Sequence, residues 1–432
     1  MALKPAIDAL VVGAGPVGLA AALTLVRAGH SRVEILDEAD RRTGLSYALA
    51  LHPATLAGLD RLGVAAALIA RGNRIDRVAI YDGAERRAEL ELATLDGEHP
   101  YLLVVPQSEL EAVLIAALAA EGVEVRWRHR LRRLEEGEGA AVTCTIDRID
   151  AESAGYAVSS VGGVVGKSFE REIPLVIGAD GHASLVRRQL GIERLESGPA
   201  GTVAVFELDG AEPPADRPAT EARREVRLTL GDGLRSVWWP LPGGRTRLGF
   251  ELAAAADPTT AREKSRLPPI VPWLASPLDE RRLHELVAER LPWYGAASGR
   301  LMWSAAVRFE RSLVASFGRG RVWLAGDSAH LTFPFGVRSM NEGILEAQDL
   351  AGRCGRVLAG VEPVAALTAY GSDRLERWQV RLATADADAE RGAAASGDPW
   401  LAANARGLVE ALPVGAGDAA RLFARLTSPS GS

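Results

Sequence analysis

Lysine is nearly absent from this chain. Lys4, Lys167 and Lys264 are the only three, while arginine is abundant, so few positions remain for a catalytic lysine. Cysteine is scarce too: Cys144 and Cys354 lie far apart in sequence and build neither a disulfide framework nor a metal cluster. No metal is therefore expected, and a reducing, cytoplasmic setting is the default. An excess of positive charge is missing. The net charge of −6 gives no general attraction to nucleic acid or to anionic lipid. Also missing is an unbroken apolar run of membrane length. Residues 9–28 are nearly uncharged, but Gly13, Gly15, Pro16 and Gly18 interrupt them and only Lys4 precedes them, so neither a spanning helix nor a removable signal is expected. What remains is a chain of 432 residues, 47% hydrophobic and 25% charged, which suits a globular protein of two or three domains or one large domain with insertions.

The loop Gly13-Ala14-Gly15-Pro16-Val17-Gly18 organises the rest. An apolar strand, Ile7 to Val12, leads into it, and an alanine- and leucine-rich helix, Leu19 to Ala28, leads out. One glycine makes the tight turn, one lets the backbone approach a pyrophosphate, and one lets helix and strand pack closely. Free amides at the helix N-terminus then face the phosphates. A second strand, Arg32 to Leu36, ends in Asp37, where a carboxylate suits a ribose hydroxyl pair. Strand, loop, helix, strand and acid in this order imply an ADP-containing dinucleotide site.

Beyond Asp37 and Glu38, Arg41 and Arg42 either reach cofactor phosphates or form a solvated turn. A helical run follows through Pro53, Leu56, Leu59 and Leu62 to Gly63. Residues 73–104 alternate apolar and polar, which predicts antiparallel strands with turns at Asp82-Gly83 and Asp96-Gly97. Gln107 and Ser108 open a strong helix, and Ser108 with Glu111 has capping-box spacing. Residues 123–134 set Val123, Val125, Trp127 and Leu131 against Arg126, Arg128, Arg130 and Arg132, the pattern of a strand with one solvated basic face. Gly162 to Ser168 resembles a phosphate loop, but Val161 stands where a Walker loop needs its first glycine. It reads as a hairpin turn.

A strand from Pro174 to Ile177 runs into Gly178-Ala179-Asp180-Gly181, and a short helix starts near Ser184. Asp180 is either a turn aspartate or a carboxylate at a ligand crevice. Residues 200–252 read as four strands without an intervening helix, an antiparallel sheet and a second structural region. Five of nine tryptophans fall between Trp238 and Trp303, as core or as the wall of a pocket for a flat apolar ligand. Another strand, from Arg321, ends in Gly326-Asp327 before His330. The loop Phe333 to Asn341 follows, then a long helix from about Glu342 to Leu358, and helices continue to about Glu390.

GAGPVG at 13–18, GADGHASLVR at 178–187 and GRVWLAGDSAH at 320–330 together resemble the single-component FAD monooxygenases of the para-hydroxybenzoate hydroxylase type, over nearly all of the chain up to about residue 390. The resemblance implies an α/β fold: a Rossmann-like FAD-binding domain at 1–75, 100–192 and 304–390, with an inserted, mostly antiparallel substrate domain at 76–99 and 193–303. Residues 391–432 would form a helical C-terminal tail. It also implies that Gly13, Gly15, Pro16, Val17 and Gly18 bind the FAD pyrophosphate, with Asp37 and Glu38 at the adenosine ribose. Gln107 would meet the flavin, Asp180 would serve both FAD and the reduced pyridine nucleotide, and Asp327 would bind the ribityl or pyrophosphate region. Gly336, Met340 and Asn341 would line the isoalloxazine, with Pro334, Phe335 and Ser339 at the flavin–substrate boundary. Phe206, Trp239 and Phe335 are the candidates for the substrate pocket, and His330 supports the flavin loop.

Three departures from the resembled family stand out. Tyr47 replaces a frequent arginine, so a phosphate contact is absent or comes from Arg41 or Arg42. Ser339 replaces a loop glycine, so its Cβ either displaces the loop or sets a hydroxyl beside the ring. The thioredoxin-like extension of longer members is not expected. The implied activity is hydroxylation or epoxidation of an aromatic or polyketide-like molecule with NADH or NADPH and O₂, through a flavin C4a-hydroperoxide, by a monomer or homodimer. Alternatives on the same fold are a flavin halogenase, which the scarcity of lysine disfavours, a prenyl reductase, or a non-catalytic FAD-bound protein.

Overall fold

A computed structural model describes residues 7–40, 49–136, 141–150, 164–253, 274–275, 278–295, 298–395 and 398–427. Its centre is the strand Ala9–Val12, buried along its whole length between Leu175–Gly178 on one side and Val33–Leu36 on the other. Both pairings are parallel, with Ala9 opposite Leu175 and Val33. That explains the unbroken apolar runs, since a parallel strand covered on both faces has no solvent side to alternate with. Val322–Leu324 and Val125–Arg126 extend the parallel order, and Gly318–Arg319 adds an antiparallel edge. Helix Pro16–Arg27 covers this sheet. Pro16 sits in its first turn, where a missing N–H costs nothing, and residues Leu19 to Leu23 are buried.

The second layer is a nine-stranded sheet. Strands Arg194–Asp209, Thr246–Leu252, Leu234–Pro240 and Glu225–Gly231 neighbour one another in that order, antiparallel throughout. The sheet is mixed rather than wholly antiparallel, because Glu225–Gly231 also pairs in parallel with Arg77–Asp82. One helical turn, Ala219–Ala222, interrupts the strands expected to run without a helix. Alternation separates the two faces. Ala204, Phe206, Leu208, Trp238, Leu248 and Phe250 pack under the helix Glu280–Arg290. Val203, Val237 and Trp239 share the opposite face with Phe335 and the C-terminal helices Pro399–Ala411 and Ala416–Thr427.

Several sequence expectations change here. The basic stretch 123–134 splits in two, with Val125–Arg126 in the parallel sheet and His129–Glu136 in a separate three-stranded antiparallel one. The break falls at Arg128, which takes φ of +57°. Arg128, Arg130 and Arg132 are exposed, as the alternation predicts, while Arg126 is half-buried. Gly166, Lys167 and Ser168 lie inside the strand Val164–Ile173 and not in a turn, while Gly162 and Gly163 lie outside the described residues. Pro106, not Ser108, is the N-cap of helix Gln107–Ala120. The helix expected from Glu342 begins four residues earlier, as Arg338–Leu358. No helix among the described residues is long and apolar enough to cross a membrane.

Within that helix of 21 residues, Gly352 has helical geometry, and a Cβ there would meet nothing within 4 Å. Glycine costs an open helical position about 0.5–1 kcal/mol relative to alanine. Gly352→Ala is therefore expected to stabilise the protein by about that amount. A denaturant midpoint that stayed still or fell would show the position to be less open than it is drawn.

Candidate flavin site

The glycine loop meets the other two motifs at backbone distance. Gly13 takes φ of +102°, and a Cβ there would overlap the Ala179 carbonyl and lie 3.0 Å from the Asp180 Cα. A Cβ on Gly18 would overlap the Gly13 carbonyl, so helix and strand close only over a glycine. Gly326, at φ +67°, would place a Cβ 2.8 Å from Val17 Cγ2. Gly343, in helix Arg338–Leu358, would do the same at 2.8 Å and would also come within 2.9 Å of the Gly326 Cα. Val17 thus meets the third motif and the long helix, while Gly13 of the same loop meets the second motif. Gly15 is different: a Cβ there meets nothing within 4 Å, and no side chain caps the helix it begins. That combination, open space over uncapped amides, is what an anionic group requires.

Asp37 ends the second strand and faces the loop. Its Oδ2 accepts from the Ala14 amide at 2.8 Å and its Oδ1 from the Ala39 amide at 2.8 Å. Each oxygen keeps a further acceptor direction for a sugar hydroxyl. Glu38 is exposed beside it, whereas Arg41, Arg42 and Tyr47 lie outside the described residues. The Gln107 amide donates to Glu111 Oε1 at 2.8 Å.

Asp180 is tied to its own turn. Its carboxylate accepts from Ser184 Oγ at 2.6 Å and from the amides of Leu185 and Val186 at 2.7 and 3.1 Å. It thereby fixes the start of helix Leu185–Gln189, and it keeps the Asp180 Cα beside Gly13. Burial raises its carboxyl above the usual range against these bonds. Asp327 follows Gly326 directly. Its carbonyl accepts from Arg194 Nη2 at 2.8 Å, and desolvation raises its carboxyl, opposed by His330, His182 and Arg194. Behind the motif stands Glu346. It accepts from the Gly326 amide at 3.1 Å and from Trp378 Nε1 at 2.7 Å, and it meets His330 Nε2 at 2.8 Å. Burial opposes its charge, yet these partners hold it below the ordinary carboxylate value. His330, stacked on Trp378 at 4.0 Å, is a support of the loop and not a surface base.

The segment Phe333 to Asn341 folds onto the start of its own helix. Val337 caps that helix at φ +50°, without a side-chain cap bond. The Ser339 hydroxyl accepts from the Thr332 amide at 3.1 Å and lies 3.3 Å from Thr332 Oγ1, so it staples the loop to itself. Asn341 is buried, with its amide donating to the Ala50 and Val337 carbonyls and its Oδ1 accepting from the His52 amide. Met340 packs against the main core. A Cβ on Gly336 would lie 2.8 Å from the Glu410 carbonyl, so the close approach at this glycine is to the C-terminal helix. Phe335 is buried, with Phe333 beside it at 5.7 Å. Trp239 shares its apolar cluster, but Phe206 lies on the other face of the sheet against Phe250. Phe206 and Trp239 therefore cannot line one pocket: through the strand Thr246–Leu252 between theirs, Phe206 shares a face with Leu248 and Trp238, and Trp239 with Arg247 on the other side.

Sequence reasoning missed His52, Glu346 and Glu410. A weak signal existed for Glu346, an acid within the apolar face that carries Ile344, Ala347 and Leu350. His52 and Glu410 act through contacts distant in sequence, which periodicity does not encode.

Parallel strands, a phosphate-ready glycine turn and two further motifs closing on it define a dinucleotide-binding flavoprotein fold. The chain belongs to the FAD binding domain family, which matches residues 6–384. It is 27% identical over 383 residues to a para-nitrophenol 4-monooxygenase from Pseudomonas sp. (strain WBC-3), covering 84% of this chain and 82% of that one. It is also 27% identical over 373 residues to an anhydrotetracycline monooxygenase from Streptomyces rimosus, covering 85% of this chain. The match takes in 66% of that relative's length, so the chain spans just under two-thirds of it. The crystal structure of a p-nitrophenol 4-monooxygenase from Pseudomonas putida DLL-E4 superposes with a TM-score of 0.71 at 22% identity, over 100% of both chains, which shows a shared fold.

His52 makes the site acid-sensitive. Its Nε2 lies 3.1 Å from the Gly336 carbonyl, which can only accept, so Nε2 carries a proton. Burial first, and the Arg338 charge second, lower its pKa from 6.5 to about 3. The unfolded chain thus binds a proton below the ordinary histidine value, and the folded chain does not until about 3. Stability is unaffected above that ordinary value and falls by up to about 1.4 kcal/mol per pH unit across the window. His52→Gln keeps a donor for Gly336 and is expected to flatten this fall between neutral pH and mild acid in urea unfolding. An unchanged slope would place the acid sensitivity elsewhere.

Proposed function

We propose that the chain is an FAD-dependent monooxygenase that uses NADH or NADPH and O₂ to hydroxylate or epoxidise an aromatic or polyketide-like small molecule. The observation that carries this reading is the convergence on the glycine loop, which leaves Gly15 and the first turn of helix Pro16–Arg27 open to a pyrophosphate. The names of the relatives support the reaction class. Bound FAD would supply the hydride acceptance and oxygen activation that protein side chains lack.

Each part of the chain then has a task. The loop amides hold the pyrophosphate, Asp37 orients the adenosine ribose, and Asp327 meets the ribityl chain. Residues Pro334 to Asn341 set the edge at which the ring system would sit, with the amides of an uncapped helix start toward electron-rich atoms. Trp239, Phe333 and Phe335, on the sheet face opposite the helix Glu280–Arg290, wall the substrate side and exclude water. This assignment gives residues 76–99 and 193–303 to the substrate unit, and residues 1–75, 100–192 and 304–390 to the FAD unit. The C-terminal helices join the substrate wall. Lys167, on the strand Val164–Ile173 of the separate three-stranded sheet, offers nothing to a halogenase reading.

Two substitutions separate the folding glycine from the binding one. Gly13→Ala is strained in φ and meets backbone, so it is expected to lower the stability of the apoprotein by about 2–4 kcal/mol. Gly15→Val has room, so the apoprotein should keep its melting temperature while losing bound flavin. Equal flavin content in Gly15→Val and the parent would mean that the pyrophosphate lies elsewhere. With flavin bound, a phenolic probe such as p-nitrophenol should raise NAD(P)H oxidation with matching oxygen consumption. Flavin without any such stimulation across a phenol and polyketide panel would favour the non-catalytic reading.

A further inference from the structure

The helix Pro399–Ala411 lies beyond residue 384, where the family match ends. Its last turn nevertheless grips the segment assigned above to the flavin. Gly336 approaches the Glu410 carbonyl so closely that a Cβ would lie 2.8 Å from it. Arg338 reaches back with Nη2 to the Val409 carbonyl and with Nε to the Val414 carbonyl. The Val409 carbonyl is an orphan acceptor at a helix end, where a cation is favoured, and the Val414 carbonyl lies just beyond it. From the other side, Arg311 donates both Nη atoms to the Glu410 carboxylate at 3.0 Å, and Arg235 donates Nη1 to it at 2.7 Å. Arg235 is held in turn by Glu251 through Nε and Nη2, at 2.7 and 2.9 Å. The Phe333 ring lies under both guanidinium groups, 4.6 Å from that of Arg235 and 5.2 Å from that of Arg311. Phe335 lies 5.6 Å from Arg235.

We propose that Glu410 is a positioning residue for the flavin loop: its carboxylate fixes the arginine pair that carries Phe333, and its carbonyl fixes Gly336. The proposal rests on the reading that residues 334–341 face the flavin. The bidentate and stacked geometry is specific to arginine, because an ammonium ion cannot hold two oxygens in plane while covering a ring. The arginines keep the Glu410 carboxyl at about 2 although burial opposes its charge, so the clamp is ionised throughout the working pH range. Arg406, mostly exposed, adds a third guanidinium 3.5 Å from the Glu410 carboxylate, so three positive and two negative charges close the network, and removing Glu410 leaves desolvated arginines uncompensated.

The test uses the full chain, with FAD titrated into the apoprotein and the visible spectrum of the bound flavin recorded. Glu410→Gln keeps the size and one acceptor but removes the charge. It is expected to weaken FAD binding about tenfold and to shift the flavin band. Arg311→Gln should act alike, and the double variant should be no weaker than the worse single one, since both changes break the same contact. Asp398→Ala controls for the anchoring of the same helix at its far end, since Asp398 also accepts from Arg87 Nη2 at 2.7 Å. Asp398 caps the same helix, with its Oδ1 accepting from the Trp400 amide at 2.8 Å, so its loss should lower the melting temperature without moving the flavin band. An unchanged affinity and spectrum in Glu410→Gln overturns the proposal, and so does an equal shift in Asp398→Ala. Should Glu410→Gln not fold, Glu410→Asp retains the charge on a shorter arm. A shift in the same direction then supports the clamp, and no shift overturns it. A parent protein that binds no FAD at all would instead sink the functional reading.

Discussion

Three short glycine-bearing segments, far apart in the chain, touch around the first glycine loop. That contact is the constraint on which the rest of the architecture depends. Gly13 against Ala179 and Asp180, and Gly326 and Gly343 against Val17, bring the first strand, the strand Leu175–Gly178 and the helix Arg338–Leu358 into one crevice. The approach at Gly13 cannot be relieved by rotating a side chain, since the atoms it meets are backbone, and Gly343 likewise meets the Gly326 backbone. Polar bonds then lock the arrangement. Asp180 ties down its own turn, Asp37 holds Ala14, and Glu346 holds Gly326. The carboxylates nearest the crevice are thus used mainly to shape backbone. What the crevice offers a dinucleotide is a row of amides over an open glycine.

The arginine-rich composition has a structural counterpart in the second layer. Arg227 and Glu225, both fully buried, pair at 2.8 Å beside the Tyr81 and Trp293 rings. Arg247 and Glu207 repeat the motif with Trp303. Burying ion pairs gives little net stability, because desolvation offsets most of the attraction. Their effect is geometric: a planar guanidinium with a carboxylate on its edge and a ring on its face has few alternative placements. The two units lie on opposite faces of the sheet, Arg227 opposite Trp238 and Arg247 opposite Trp239, and stiffen it from both sides. Lysine would not serve here.

Much of the fold was legible because periodicity and turn chemistry are local. The continuous apolar run at 9–12, the alternation at 203–208 and 247–252, and the glycine motifs each reflect the environment of one strand or turn. The site was legible in part, through the three motifs and Asp37. Misreadings arose where long-range pairing decides. Phe206 and Trp239 looked equivalent as buried aromatics, yet only strand register reveals that they occupy opposite faces. Gly166 to Ser168 carried turn residues but was drawn into a strand by pairing across Asp147 and Arg148. Asp180 stood at a crevice in sequence terms, and its bonds to its own helix start were not legible there. The C-terminal helices read as a tail because nothing local in Gly336 or Arg338 names residues 409–414 as partners.

Val337 shows how these long-range contacts act together. A β-branched residue at φ +50° is strained, on the order of 1–3 kcal/mol. Such a conformation persists only when the surroundings over-determine it. Here its amide donates to the Pro334 carbonyl and its carbonyl accepts from Asn341, while its side chain packs against the C-terminal cluster. Ser339 closes the same loop from within, and Arg338 ties it to the helix end behind. Loosening any one contact lets the strained residue relax toward ordinary backbone angles and carries the helix start with it. The helix start is where the uncapped amides stand, so strain at Val337 converts a distant packing change into a displacement at the site. A loop under tension and held from several sides has one position, and its precision is set by residues well outside the motifs that announce it.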